Sequence, residues 1–269
     1  FGQNFLIDLN LMRKLVEAAG VCAGDIVLEV GPGTGSLTEL LLERGAEVVA
    51  VEIDRGLAEL LGERFADQPR LTLLCCDALA GKHEVHPGVI KALGGLLASR
   101  PAGVAGRLKM VSNLPYQVAT PLLLNLLCGE PPFDLFVFTI QKEVAERLTA
   151  RTGTADYGPI SVITSVAADC EVLSRMPPSA FWPRPKVESS MLVVRPKPRA
   201  DDDDLGGLAA LVGRAFLHRR QMLRRIVSRW ANASAALSAL EALGIDSATR
   251  PQDLGPDLWR RFHRRLRGE

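Results

Sequence analysis

Asn113-Leu114-Pro115-Tyr116 puts a carboxamide, a backbone carbonyl ahead of a proline, and a phenol ring within four residues. This set suits chemistry on an aromatic amine. The lone pair of an exocyclic purine amine is delocalised into the ring, which makes it a poor nucleophile. Acceptors on its hydrogens, here the Asn113 side chain and the Leu114 carbonyl, draw it toward tetrahedral geometry and free the lone pair. Pro115 fixes the backbone that presents this carbonyl. Tyr116 offers a face on which a base can stack, a contact worth roughly 1–3 kcal/mol. Transfer to such an amine needs positioning rather than a strong base. An ordinary turn beside a core tyrosine is the competing reading.

A second constellation lies upstream. Glu29-Val-Gly-Pro-Gly-Thr-Gly35 follows a short apolar run and opens onto a helical pattern. Glycines at 31, 33 and 35 allow a tight turn and let a ligand approach where a Cβ would collide. Nicotinamide and flavin enzymes also use such a turn, and Ser36 stands where their third small residue would be. Their fingerprint has no need of the acid at Glu29, a position where methyltransferases typically carry one. Glu52 and Asp77 close the next two apolar runs. There one carboxylate can accept both hydroxyls of a ribose and the other can take an adenine amine. The alternative is that each acid only caps the helix after it.

These residues need a frame. Ile26–Val30, Glu47–Glu52, Leu71–Cys76, Lys109–Ser112 and Asp134–Ile140 read as short strands, with helical patterns such as Leu37–Arg44 and Leu57–Phe65 between them. The alternation predicts an α/β fold, a parallel sheet with helices on both faces, whose strand ends converge on one crevice. Asp169–Ser174 and Val187–Val194 are candidates to complete the sheet, the last as a hairpin partner. The Ala78–Leu108 connection is long and rich in glycine, with a helix expected near Val89–Ala98 and loop elsewhere. After Asp204 the pattern is purely helical: Leu208–Leu217, Arg219–Trp230, Ser234–Leu243 and Pro256–Arg267. Ser234 is the expected cap of the third helix and Gly244 its stop.

Charge divides the 269 residues in the same place. The whole chain carries +1, yet twelve arginines against five acids leave Leu205–Glu269 at +7. The acidic run Asp201–Asp204 precedes that tail and reads as a linker. We expect domains at 1–198 and 205–269 joined by 199–204, the second facing a polyanion. No apolar stretch reaches the ~20 residues of a membrane span. Five cysteines without CxxC or CxxH spacing give no metal-ligand pattern. They suit a reducing, cytoplasmic setting, with Cys75 and Cys76 expected as buried thiols. The first residue is Phe1 and not methionine, so a leader is expected before it.

Taken together, Phe1–Leu6 (FGQNFL), Glu29–Gly35, Asn113–Tyr116, Gln141–Arg147 (QKEVAER) and Pro178–Val187 (PSAFWPRPKV) resemble the small-subunit ribosomal RNA adenine N6,N6-dimethyltransferases. The likeness runs in order over essentially the whole chain and reaches Phe216–Gln221 (FLHRRQ), similar to a Phe-x-x-Arg-Arg-Lys signature of that family. The resemblance implies a Rossmann-like seven-stranded class I methyltransferase sheet with a small C-terminal all-helical domain for RNA. It implies S-adenosyl-L-methionine as cofactor. The expected reaction is dimethylation of two adjacent adenosines near the 3′ end of small-subunit rRNA, on free RNA or a pre-small ribosomal subunit, by a monomer.

By motif position, Asn4 and Leu6 would touch the methionine end of the cofactor, and Gly31 and Gly33 would form its backbone floor. Glu52 would hold the ribose, Asp77 the adenine, and Asn113 would lie between cofactor and target. Phe181 would be a second aromatic wall opposite Tyr116. Lys142, Arg147, Arg184 and Lys186 look like phosphate contacts near the site, and Arg219, Arg220, Arg224 and Arg225 like contacts on the helical domain. Two features depart from the family pattern: Gln221 stands at the lysine position, and the 78–108 connection is long. Relatives that methylate one adenine of large-subunit RNA share the Asn-x-Pro-Tyr chemistry. Pro177–Val187 and the arginine-rich tail favour the small-subunit branch, and the intact Asn113–Tyr116 argues against a relative that only binds nucleic acid.

Overall fold

The structure, a computed structural model, describes residues 4–81, 84–100, 103, 105–198 and 204–268. Phe1–Gln3 of the FGQNFL motif and 199–203 of the acidic linker lie outside these residues.

The chain begins β1 (Phe5–Leu6), α1 (Leu9–Ala18), β2 (Ile26–Val30), α2 (Ser36–Glu43), β3 (Glu47–Glu52), α3 (Arg55–Arg64) and β4 (Leu71–Cys75). It continues with β5 (Leu79–Gly81), β6 (Glu84–Val85), α4 (Pro87–Ser99), β7 (Leu108–Asn113), α5 (Tyr116–Cys128), β8 (Leu135–Gln141) and α6 (Lys142–Leu148). Then come α7 (Pro159–Ala167), β9 (Ala168–Met176), β10 (Phe181–Trp182) and β11 (Ser189–Pro196). Four helices close it: α8 (Leu205–Phe216), α9 (Leu223–Val227), α10 (Ala233–Ala242) and α11 (Pro256–Leu266).

Seven strands form one sheet in the order β4-β3-β2-β7-β8-β11-β9. Strands β4, β3, β2, β7 and β8 run parallel, and β11 pairs antiparallel with β8. All five residues of β2 are buried, as a central strand covered on both faces requires. The chain builds outward from β2 to β4 and then returns to place β7 on the other side of β2. That reversal opens a crevice at the C-terminal ends of β2 and β7, where ligands bind in such sheets.

Contacts divide the chain into Phe1–Ala145 with Cys170–Pro196, and Glu146–Asp169 with Lys197–Glu269. The expected division at 198 is two residues from the observed one, but Glu146–Asp169 packs with the C-terminal helices. The cause is local: α7 lies against α8 and α11. The buried Tyr157 also donates its hydroxyl to the Leu254 carbonyl at 2.9 Å. Around it Phe216, Trp259, Phe262 and Trp230 form a chain of rings with centroids 6.1–6.4 Å apart.

Several local expectations change. Asp204, last of the acidic run, is the N-cap of α8 and accepts from the Gly207 N–H at 2.8 Å. The third C-terminal helix is capped at Asn232, not Ser234, and Gly244 at φ +65° ends it as expected. Helix α9 is one short turn, not the long Arg219–Trp230 helix. The 78–108 connection holds α4 near its expected place and, unforeseen, the β5–β6 hairpin. Cys75 is exposed and Cys76 half-buried, because β4 is the sheet's edge strand and its end meets solvent.

Candidate active site

A cavity of about 510 Å³ opens at the crevice. Its walls include Asn4 and Phe5 from the N-terminal segment, Gly31 and Gly33 after β2, Glu52 at the end of β3, and Asp77 beyond β4. Asn113, Leu114, Pro115 and Tyr116 follow β7, and Gln141 ends β8. The residues that follow strands meet because each sits at the same edge of the sheet, and Asn4 and Phe5 join them from outside it.

The glycine turn is shaped by its neighbours. A Cβ on Gly33, at φ +59°, would lie 2.7 Å from the Phe5 ring, and one on Gly31, at φ +75°, 3.0 Å from Pro115 Cγ. Glycine at both places brings this loop against the N-terminal segment on one side and the Asn113–Tyr116 segment on the other.

Glu52 is buried and ties the turn to β3. Its Oε2 accepts from the Gly33 N–H at 3.2 Å and its Oε1 from the Asp54 N–H at 2.9 Å. The helix cap after β3 is Asp54, which accepts from the Leu57 N–H at 3.1 Å, so Glu52 is not spent on capping. Asp77 accepts from the Leu79 N–H at 2.9 Å and precedes a strand, so it caps no helix either. Both carboxylates border the cavity. Glu29 does not. It is fully buried beneath the turn, accepts a 2.7 Å hydrogen bond from Thr38 Oγ1, and its carboxyl is pushed up to about 8. Burial is the main cause; the Thr38 bond works against it and the Glu52 charge adds to it.

The Asn113 amide is held at both ends. Its Nδ2 donates to the Asn4 carbonyl at 3.0 Å, and its Oδ1 accepts from the Thr139 hydroxyl. Thr139 is fully buried and stands opposite Asn113 in the β7–β8 register. The Tyr116 hydroxyl shares a 2.9 Å hydrogen bond with Ser189 on β11. Neither Thr139 nor Ser189 carries a motif signal; only strand pairing brings them to the site. Phe5 joins them from inside the FGQNFL motif, between the expected contacts Asn4 and Leu6.

Phe181 and Leu6 stand outside this lining. Phe181 does not line the cavity. It pairs with Leu6 across the β1–β10 ribbon, and the two are buried in the same core cluster as Met12 and Ala180. Phe5 is the aromatic that reaches the cavity instead. Leu6 borders a smaller recess beside it, with Glu29, Gly31 and Asn113.

Among the expected cations, Lys142 is paired with Glu188 at 2.9 Å, a bond that together with the lysine's charge holds Glu188 below its usual value. Arg147 is exposed and lies in the second unit. Arg219 is tied down there, donating to Gln252 Oε1 at 3.3 Å and the Ala155 carbonyl at 3.1 Å. Arg184, Lys186, Arg220, Arg224 and Arg225 are exposed, and among the described residues none is in an ion pair.

The cavity fits an S-adenosylmethionine-sized ligand: its volume is in the range of small-molecule sites. Two carboxylates face a glycine floor with no Cβ in the way, leaving room beside Asn113. No cluster of metal-ligating side chains is found among the described residues, and no helix among them is long and apolar enough to cross a membrane.

Comparison with known proteins identifies the family. The profile of the family described as ribosomal RNA adenine dimethylase matches residues 1–266. The chain is 42% identical over 255 residues to the ribosomal RNA small subunit methyltransferase A of Phenylobacterium zucineum, covering 94% of this chain and 82% of the relative. It is 37% identical over 260 residues to that of Alkaliphilus metalliredigens, covering 94% and 86%. The crystal structure of a dimethyladenosine transferase from Plasmodium falciparum superposes with a TM-score of 0.77 at 24% identity, over 96% of this chain and 95% of that one.

Proposed function

The chain belongs to the ribosomal RNA adenine dimethylase family, and on that premise we propose that it dimethylates the N6 amines of two adjacent adenosines near the 3′ end of small-subunit rRNA. At the family's level it is an S-adenosylmethionine-dependent rRNA adenine dimethyltransferase. The observation that carries the finer reading is one cavity bordered by Glu52, Asp77, Asn113 and Tyr116.

Bound S-adenosylmethionine supplies a methyl group activated on a positively charged sulfur. Glu52 accepts from the ribose hydroxyls through the lone pairs its backbone partners leave, and Asp77 takes the adenine amine. Asn4 and the Gly31–Gly33 floor bound the rest of the cofactor.

Asn113 works on the target. The Asn4 carbonyl can only accept, so Nδ2 must face it and Oδ1 must face the Thr139 hydroxyl. The oxygen therefore keeps a fixed direction and one free lone pair for a hydrogen of the target amine. The Leu114 carbonyl takes the other hydrogen, Tyr116 stacks on the base, and Ser189 holds the phenol ring in place. The proton lost on methylation passes to solvent. Arg220, Arg224 and Arg225 contribute phosphate contacts on the helical unit.

Tritiated methyl transfer tests the reading on undermethylated small subunits, with large subunits and free RNA in parallel. Label recovered as N6,N6-dimethyladenosine from the small subunit alone is the expected result. Label in the large subunit would move the chain to the other branch.

A further inference from the structure

The ribbon of β1 and β10 has two unlike faces. Residues directly opposite in an antiparallel pair point to the same side, and the register sets Phe5 against Trp182 and Leu6 against Phe181. Leu6 and Phe181 go into the core. Phe5 and Trp182 share the other side, and Phe5 is a cavity wall. The Ile7 N–H continues the ladder to the Ala180 carbonyl at 2.9 Å, so Ile7 returns to the Phe5 side. On that side Trp182 is 65% and Ile7 55% exposed. An indole left in water beside a substrate cavity is unused apolar surface next to bound ligand.

The residues that follow identify what covers it. Trp182-Pro183-Arg184-Pro185-Lys186 alternates cations with prolines. Pro185 is buried and anchors the segment, whereas Arg184 and Lys186 are exposed, and neither is in an ion pair among the described residues. Proline fixes φ and offers no N–H, so the segment presents its charges with little backbone entropy left to lose on binding. An open aromatic face beside unpaired cations on a stiff backbone matches single-stranded nucleic acid: bases have π-faces and the backbone is anionic. Two cations are fewer than the cluster of about 4–8 that marks a lipid-binding patch, and an apolar protein surface leaves both without a counter-charge.

We propose that the Ile7–Trp182 face is a stacking platform for the unpaired nucleotide next to the adenosine in the cavity, with Arg184 and Lys186 on its phosphates. This rests on the reading of the cavity given above. Opposed side chains on a ribbon lie about 5 Å apart, so Trp182 stands beside Phe5 at the distance of a neighbour. A target with two adjacent adenosines then has one base in the cavity and the next held at its rim.

The test uses the full chain. Its other tryptophans, Trp230 and Trp259, are buried, so quenching of tryptophan fluorescence by a single-stranded oligoadenylate reports on Trp182. Wild type should be quenched and Trp182→Phe should not. On undermethylated small subunits, Trp182→Ala should raise KM roughly ten-fold, the loss of one stacked base. Trp182→Phe should restore most of it, and affinity for S-adenosylhomocysteine should stay unchanged. Arg184→Ser with Lys186→Ser should flatten the salt dependence of KM, which Trp182→Ala should leave alone. Normal dimethylation with an unchanged KM in Trp182→Ala would overturn the platform while leaving the activity intact. Absence of any dimethyladenosine with wild type would overturn the reading of the cavity and the platform with it. A raised KM on subunits without oligoadenylate quenching would assign the face to a ribosomal protein and overturn the RNA platform.

Discussion

Thr139 on β8 donates its hydroxyl proton to Oδ1 of Asn113 on β7, directly across the parallel pair. With the Asn4 carbonyl on the other side, the amide cannot flip without setting its own oxygen against that carbonyl. Thr139→Val removes the donor and keeps the shape. We expect kcat for methyl transfer to fall ten-fold or more while cofactor affinity and RNA KM hold, since misdirected groups cost rate out of proportion to their displacement. Thr139→Ser should restore most of kcat. Steady-state kinetics on undermethylated subunits decides: equal losses in Val and Ser variants would reduce Thr139 to packing.

Glu52 is held by two backbone N–H groups at the mouth of the glycine turn. Glu52→Gln should weaken S-adenosylhomocysteine binding at least ten-fold, as loss of a charged hydrogen-bonding partner typically does. Calorimetric titration reads this directly, and unchanged affinity would refute a role at the ribose.

How far these contacts were legible before the fold was known follows from distance along the chain. The strands of the parallel sheet, the glycine turn, Glu52, Asp77 and Asn113–Tyr116 announce themselves locally, through runs of apolar residues and turn chemistry. Thr139 and Ser189 do not, because a threonine inside an apolar strand says nothing of which strand lies beside it. The position of Phe181 off the cavity is hidden for a related reason. In a two-residue strand, a shift of one residue exchanges the faces, and only the pairing with Leu6 reveals that it points inward. The membership of Glu146–Asp169 in the helical unit was equally hidden, since it rests on α7 packing against helices that come later in the chain.

Away from the site, Lys109 Nζ lies 2.6 Å from Asp25 Oδ2, both buried, and also donates to the Gly20 carbonyl at 2.9 Å. Burial alone would raise the Asp25 carboxyl, but the Lys109 bond and the Arg107 and Cys22 N–H groups together hold it below its usual value. Lys109→Met leaves that charge uncompensated and should cost about 3–5 kcal/mol of stability by urea unfolding. Adding Asp25→Leu should recover part of the loss. A single variant as stable as wild type would contradict the pairing.

Glu29 gives a pH dependence of known sign. Its carboxyl titrates near 8 in the folded chain against 4.5 ordinarily. Between those values the native state therefore holds a proton that the unfolded state has released. Its contribution is complete below about 4.5 and is lost as pH rises through about 8, at up to roughly 1.4 kcal/mol per unit. Glu29→Gln stays neutral and lacks this slope. Urea midpoints from pH 5 to 8.5 should therefore fall more for wild type than for the variant. Parallel curves would mean that Glu29 is ionised throughout.

We place methylation of the adenine amine in the cavity beside Asn113. The most direct test of this placement is Asn113→Ala, assayed for dimethyladenosine formation on undermethylated small subunits and for S-adenosylhomocysteine affinity in the same preparation. Methylation should be lost while cofactor affinity stays within a few-fold of wild type. Methylation persisting near the wild-type rate would contradict the placement and put the chemistry elsewhere.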